Sequence, residues 1–371
     1  MKKIGITGSN GFIGWHLKNN LSLIENFKLI PFKRGFFEEK KSLDNFTSNC
    51  DIIIHLAGIN RHDNEDFIYK TNINLAQKLV DSLNRTKSKP YVIMSSSTQE
   101  DLDNNYGNSK KTARKIFTKW SEDSGSFFSG LIIPGVFGSF SKPNYNSVVS
   151  TFCHKIINNE ITNVIDDKEI KLIYIDDLIN LILDLLNNFS SNKKIIVKYN
   201  EKIMVSQLLE IIKKFNDKYV KNKEIPFFKS KFEINLFNTF RSYIDYKSFF
   251  PVRYKKHIDK RGSFIELLRT STGGQFSYST TQKGVVRGNH FHTRKIERFS
   301  VIAGKALIQL RKIGTNEIIE FILDGDNPSY VDMPLWYTHN IKNIGDDILF
   351  TNFWINEPYD PKDPDTFMQI V

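Results

Sequence analysis

A chain of 371 residues is long enough for two or three separately packed cores. Its net charge of +11 comes from scattered lysines rather than basic runs interleaved with aromatics, which argues against a nucleic-acid partner. Two cysteines without ligand or redox spacing, no apolar run of spanning length, and an apolar stretch after Lys3 that stops at a glycine turn predict a cytoplasmic protein with no membrane span.

In chain order, MKKIGITGSNGFIG predicts a short apolar strand running into Gly8, Gly11 and Gly14, then a helix with Leu17 and Leu21 on one face. Glycines at such a turn let backbone N–H groups approach a pyrophosphate, and the helix N-terminus adds positive dipole. The second strand, KLIPF, leads into Lys33 and Arg34. An acidic residue there would bind a free ribose 2′-OH, whereas a cation accommodates a 2′-phosphate, so NADPH is favoured over NADH. DIIIHLAG (51–58) and PYVIMSSS (90–97) read as buried parallel strands ending in small residues, with helical FIYKTNINLAQKLVDSL between them.

In NYGNSKKTARKIF, Tyr106 and Lys110 lie four apart and share a helix face. The ammonium is expected to stabilise the phenolate, lower the tyrosine pKa and let Tyr106 act as general acid or base. Ser97, or else Ser96 or Ser95, ends the preceding strand and would hydrogen-bond a substrate carbonyl. GLIIPGVFG (130–138) reads as a further strand and VSQLLEIIKKF (205–215) as an amphipathic helix. The alternation predicts an α/β doubly wound Rossmann-like domain over 1–245, with a small α-rich substrate lobe at about 186–245 attached to its sheet.

From residue 246 onward, short alternating strands and Gly or Pro turns predict an all-β domain over 246–371. Within GVVRGNHFHTRKIERFSVIAG, His290 and His292 are two apart, so on a strand they face the same way. Glu297 follows at a distance suited to the next antiparallel strand, Gly284 and Gly304 bracket the unit, and His339 in PLWYTHNIKN adds a fourth ligand. Three imidazoles and one carboxylate suit Zn²⁺ or another first-row divalent ion.

These motifs carry resemblances. Gly284 to Gly304 resembles cupin motif 1, and Pro334 to Asn343 resembles motif 2 with Trp336 in the usual glycine place. That implies a small jelly-roll barrel with His290, His292, Glu297 and His339 as metal ligands. The glycine turn with the serine, Tyr106 and Lys110 resembles the extended short-chain dehydrogenase/reductase family. It implies that Ala57 and Gly58 of HLAG and the helix residue Asn72 join Gly8, Gly11, Gly14, Lys33, Arg34 and Lys110 at the cofactor, with Ser97, Tyr106 and Lys110 catalytic. Pro134 to Gly138 also has a counterpart, whereas Ile132 and Gly135 stand where that family often has polar substrate contacts. DKRGSFIELL (259–268) and KGVVRGNHFH (283–292) resemble nucleotide-sugar 3,5-epimerases of the RmlC type. There the histidine aligned with His290 is a base and no metal is needed. With His290 assigned as a ligand, the base is unassigned and Tyr337 is the remaining candidate.

Taken whole, with KPNYNSVVSTFCHKI (142–156) and EPYDPKDPDTF, the chain resembles the bifunctional CapF-type enzymes of capsular polysaccharide synthesis. The resemblance implies that the cupin epimerises C3 of a UDP-2-acetamido-2,6-dideoxy-4-hexulose. The first domain then reduces the C4 ketone with NADPH to UDP-2-acetamido-2,6-dideoxy-L-talose, on the way to L-N-acetylfucosamine. A homodimer is expected, since cupin barrels often pair through sheet faces. Two other readings stand beside it. A nucleotide-sugar 4,6-dehydratase usually has a Thr-Asp-Glu-like trio where this chain has Ser97, Thr98 and Gln99. A non-catalytic protein that senses NADPH or sugar would not need a tuned phenol.

Overall fold

A computed structural model describes residues 1–189, 191–254, 257–259, 262–264, 275–357 and 360–371. The segment DKRGSFIELL falls largely, and EPYDPKDPDTF partly, outside the described residues. The chain divides into two compact units, residues 1–152 with 163–209, and residues 153–162 with 210–371.

The strands of the first unit are β1 (Lys2–Thr7), β2 (Phe27–Ile30), β3 (Ile52–His55), β4 (Tyr91–Ser97), β5 (Phe128–Ile133), β6 (Gly135–Phe137), β7 (Glu169–Tyr174), β8 (Asn192–Ile196) and β9 (Glu201–Met204). Six form a parallel sheet in the order β2-β1-β3-β4-β5-β8, as the alternating pattern predicts. Ile52, Ile53, Ile54, Val92 and Ile93 are fully buried, which explains why these strands read as continuous apolar runs. GLIIPGVFG, expected as one strand, is two. Pro134 has no N–H to give to the ladder, so β5 stops at Ile133 and β6 pairs with β7 in a separate three-stranded sheet.

The helices that follow these strands are α1 (Phe12–Ser22), α2 (Lys40–Ser48), α3 (Glu65–Thr86), α4 (Asn105–Ser124), α5 (Val148–Ile157), α6 (Ile175–Asn187) and α7 (Val205–Phe215). α3 and α4 start on asparagine caps: Asn64 Oδ1 accepts from Phe67 N at 3.1 Å and Asn104 Oδ1 from Gly107 N at 2.7 Å. Their inner faces bury Ala76, Leu79, Leu83, Ala113, Phe117 and Trp120 against Ile53, Val92, Met94 and Phe128. Gly107 matters for placement. A Cβ there would meet the Gln99 carbonyl oxygen at 1.9 Å, so glycine alone lets the start of α4 press onto the turn after β4.

The second unit contains α8 (Lys231–Arg241), α9 (Tyr246–Phe249), β10 (Val252–Arg253), β11 (His257–Asp259), β12 (Gly262–Phe264), β13 (Gln275–Thr281), β14 (Val286–Phe291), β15 (Glu297–Ala303), β16 (Lys305–Lys312), β17 (Ile318–Asp324), β18 (Ser329–Met333), β19 (Tyr337–Asn343), β20 (Leu349–Ile355) and β21 (Phe367–Met368). Two five-stranded antiparallel sheets, β10-β18-β15-β20-β13 and β17-β16-β19-β14-β21, make up its body. Gly284 and Gly304 have φ of 73° and 85°, the left-handed conformation their turns require.

Residues from 210 onward, including α8, belong with the β-sheets rather than with the parallel sheet. A buried ionic cluster explains this. Arg298 on β15 grips Asp332 on β18 through Nε at 2.7 Å and a second nitrogen at 2.9 Å. Tyr219 donates to the same carboxylate, and Arg241 of α8 reaches it at 3.6 Å while donating to the Tyr219 hydroxyl at 3.2 Å. Asp332→Ala would leave two buried guanidiniums without their carboxylate. The expected loss is about 3–5 kcal/mol, measured as a lower urea midpoint; an unchanged midpoint would mean the cluster holds nothing together. Among the described residues, no helix is long and apolar enough to cross a membrane.

Candidate functional site

The cofactor side is built at the carboxyl ends of β1 and β3, on either side of which the strand order turns in opposite directions. Gly8 has φ 77°, and a Cβ on it would meet Ala57 N at 2.8 Å; a Cβ on Gly14 would meet the Gly8 carbonyl oxygen at 2.2 Å. Gly11 N donates to that same oxygen at 3.0 Å, and Gly11 caps α1 without a side-chain bond to its first amides. A turn this tight, ending in uncapped helix N–H groups, is suited to a pyrophosphate.

A cleft of about 520 Å³ opens there, lined by Gly8, Gly11, Ala57, Gly58, Arg34 and Lys78 among others. Arg34, rather than Lys33, lines it; Lys33 precedes the 3₁₀ turn Arg34–Phe37. Lys78, which sequence reading missed, is paired with Glu38 at 2.8 Å. Asn72 is 4% exposed and spends its amide on both backbone groups of Ile59, at 2.8 and 2.9 Å, and on Ser109 Oγ at 2.9 Å. It therefore braces the Gly58–Ile59 loop against α4.

A neighbouring cleft of about 510 Å³ shares Gly8, Gly11 and Gly58 and adds Ser97, Tyr106 and Lys110. The strand end separates the three serines. Ser95 Oγ donates to the His55 carbonyl at 3.4 Å, and Ser96 donates to Glu100, which Arg114 grips at 2.7–3.1 Å. Ser97, half-buried, accepts from Gln99 N at 3.2 Å and lines the cleft.

The expected lowering of the Tyr106 pKa is reversed. Burial, with the Tyr145 phenol beside it, pushes Tyr106 up to about 12. Burial also draws Lys110 down to about 8 against the opposing pull of Glu100, and its Nζ donates to the Ser95 carbonyl at 2.9 Å. Desolvation outweighs the pairing that helix spacing suggests. The phenol is therefore protonated across neutral pH, the form that donates a proton to a carbonyl oxygen gaining charge. Lys142 and Tyr145, from the loop after β6, line the same cleft and carry no spacing signal in the sequence.

In the second unit, His290, His292, Glu297 and His339 converge, with ligand atoms all within 4.8 Å of one another. His290 on β14 sits directly opposite His339 on β19, after a bulge at Gly288 and Asn289. His292 lies just beyond β14, where its carbonyl accepts from Trp336 N at 2.9 Å. Trp336 has φ 60°, so it takes the left-handed conformation of the glycine it replaces, and its ring stacks on Phe291 at 5.5 Å. Glu297 arrives from the other sheet, and its Oε2 lies 3.3 Å from His292 Nε2 and 3.1 Å from His339 Nε2.

Those three atoms are buried with no hydrogen-bond partner of good geometry, a costly state unless a cation satisfies them. Burial alone would push the Glu297 carboxyl up, but the imidazoles of His292 and His339 hold it well below the usual carboxylate range. Burial and the two neighbouring imidazoles lower His290 to about 4, leaving it neutral and ready to ligate. The donor set fits a divalent ion such as zinc, with no fifth protein ligand among the described residues.

Behind His292 stands a residue that its local sequence did not single out. Asp365 offers its carbonyl to His292 Nδ1, and its carboxylate accepts from Thr293 N at 3.1 Å, Thr293 Oγ1 at 2.6 Å, and Arg294 N and Lys295 N at 2.9 Å each. It fixes both the imidazole orientation and the loop between His292 and Glu297. Tyr337 starts β19 two residues before His339, with its phenol pushed up by burial.

A twisted parallel sheet that ends in a glycine cradle beside a tyrosine, a lysine and a serine defines a nicotinamide-dinucleotide enzyme. The sequence pattern of the NAD dependent epimerase/dehydratase family matches residues 4–200, and that of the polysaccharide biosynthesis C-terminal domain matches residues 257–367. A UDP-2-acetamido-2,6-beta-L-arabino-hexul-4-ose reductase of Pseudomonas aeruginosa is 33% identical over 369 residues, 98% of each chain. The crystal structure of the capsular polysaccharide assembling protein CapF from Staphylococcus aureus is 33% identical, superposes with a TM-score of 0.63 and covers 100% of both chains. The spore coat polysaccharide biosynthesis protein SpsL of Bacillus subtilis is 27% identical over 120 residues, 30% of this chain and 80% of its own. The chain belongs to the NAD dependent epimerase/dehydratase family, in its two-domain CapF-type form.

Proposed function

We propose that this chain is a two-step nucleotide-sugar enzyme of surface polysaccharide synthesis. Its C-terminal unit, a cupin, epimerises C3 of a UDP-2-acetamido-2,6-dideoxy-4-hexulose. Its N-terminal unit then reduces the C4 ketone with NADPH to UDP-2-acetamido-2,6-dideoxy-L-talose, precursor of UDP-L-N-acetylfucosamine. The observation that carries this reading is 33% identity, over 98% of the chain, to a reductase of a UDP-linked acetamido-hexulose. The order of steps follows from chemistry: a C3 proton is acidic only while C4 is a ketone, so epimerisation precedes reduction.

When bound, NADPH supplies the hydride, and a divalent ion, zinc by its donor set, acts as a Lewis acid toward a ketone oxygen. The protein's own groups do the rest. Gly8, Gly11 and Gly14 admit the pyrophosphate, and Arg34 meets the 2′-phosphate. Ser97 holds the C4 oxygen and Tyr106 delivers its proton, with Lys110 fixed beneath them by the Ser95 carbonyl. The dehydratase reading is weakened because Glu100, the carboxylate next to Ser97, Thr98 and Gln99, is taken up by Ser96 and Arg114.

The test is incubation with the enzymatically prepared UDP-4-hexulose and NADPH in D₂O. One equivalent of NADPH oxidised, faster than with NADH, and one deuterium at C3 of the product are expected. Oxidation without deuterium would reduce the protein to a 4-ketoreductase, and no oxidation would overturn the reading.

A further inference from the structure

A metal held by the second unit requires His290 on β14 to face His339 on β19, and an unbroken ladder would not put it there. Val286 pairs with Lys342, Arg287 with Ile341 and Gly288 with Asn340. Continued without a break, that register would set Asn289 against His339 and turn His290 to the opposite face, because a slip of one residue exchanges the two faces of a strand. His290 meets His339 because Asn289 is an extra residue, bulged out of the ladder.

We infer that Asn289, clamped by Asn340 and by residues 367–371, is a register lock that aims His290 at the histidine–glutamate cluster. Its backbone takes φ 57°, directly after φ 101° at Gly288. Asparagine tolerates that left-handed conformation, whereas a β-branched residue is strained in it. On the face away from the ligands, Asn289 Oδ1 accepts from Asn340 Nδ2 at 3.0 Å, which joins the residue before one ligand to the residue after another. The Asn289 carbonyl accepts from Gln369 N at 2.8 Å. That last segment is itself held, since Thr338 Oγ1 donates to the Gln369 carbonyl and Arg311 donates to the Ile370 carbonyl at 2.6 Å.

The lock works against a physical competitor. In the slipped register Phe291 would turn inward, toward an inner face where Leu310 and Ile341 beside His339 are 0% and 3% exposed. Residues 367–371 remove that incentive by burying Phe291 on the outer face. There it stacks on Trp336 at 5.5 Å and on Phe367 at 5.4 Å, while β21 pairs with β14 through Phe367 and Met368.

The inference rests on the metal reading above, and one set of variants separates their failures. Wild type, Asn289→Val, Asn289→Asp and a protein lacking only Asn289 are compared in three ways. Competition with a chelator gives Zn²⁺ affinity, visible absorption of the Co²⁺-loaded protein reports the ligand set, and urea unfolding without metal reports the fold. Asn289→Val is expected to bind Zn²⁺ at least about 100-fold more weakly than wild type and to lose the four-ligand Co²⁺ bands, while its metal-free form still unfolds cooperatively. Asn289→Asp keeps both the acceptor and the left-handed tolerance, so its affinity should stay within about 10-fold of wild type. Deletion removes the extra residue, leaves Gly288 opposite Asn340 and lets His290 follow directly opposite His339. It should therefore also bind within about 10-fold of wild type, which a merely structural role for Asn289 would not allow. Wild-type affinity in Asn289→Val would overturn the lock, as would a deletion protein that fails to fold or loses metal as fully as Asn289→Val. Wild-type protein that binds neither ion would overturn the metal reading and the lock with it.

Discussion

Replacing Tyr106 with phenylalanine is expected to slow NADPH oxidation by roughly two to four orders of magnitude while leaving NADPH binding unchanged. The substitution removes one oxygen and keeps the ring, so the packing at the start of α4 survives. Tyr106 lines the cleft with Ser97 and Lys110, and burial holds its phenol protonated with a pKa pushed up to about 12. Reduction leaves negative charge on the former carbonyl oxygen, and a neutral phenol is the group there able to quench it. Single-turnover absorbance at saturating hexulose measures the chemical step, and fluorescence titration of NADPH measures binding. The C3 exchange catalysed by the other unit should be untouched. A Tyr106→Phe protein with full turnover would remove the phenol from the reaction.

His292→Ala should carry the second large effect, loss of the bound metal and, with it, of C3 exchange. The variant deletes one ligand and frees Glu297 from one of its two imidazole partners. Asp365→Ala provides a graded comparison. It keeps all four ligands but strips the carboxylate contacts from the loop at Thr293 to Lys295. A loss of about 10–100-fold in metal affinity is expected for removing such an outer partner. Competition with a zinc chelator ranks the three proteins: wild type tightest, Asp365→Ala weaker, His292→Ala weakest. Equal metal retention in all three would mean the four side chains meet for another reason.

What could be read from sequence was whatever rests on short spacing. The glycine turn is local, so Gly8, Gly11 and Gly14 were legible from one strand and one helix start. His290, His292 and Glu297 were legible because strand period and one connection bring them together, and His339 because its motif is equally compact. Features that arise from packing were not. The direction of the Tyr106 shift depends on how much of the first unit covers it, so helix spacing with Lys110 pointed the wrong way. Residues from 210 onward group with the β-sheets where Tyr219 and Arg241 bind Asp332, a contact bridging 113 positions for Tyr219 that composition does not display. Asp365 looked like part of a polar stretch until its carboxylate met the loop 70 to 72 positions away.

The same Asp365 contact orders events during synthesis. The segment bearing His290, His292 and Glu297 emerges from the ribosome well before the residue that fixes its connecting loop and orients His292. On a nascent chain ending shortly after His339, all four converging side chains exist but the loop between His292 and Glu297 has no anchor. A metal site built on the four side chains would therefore reach full affinity only once Asp365, which follows His339 in the chain, has emerged.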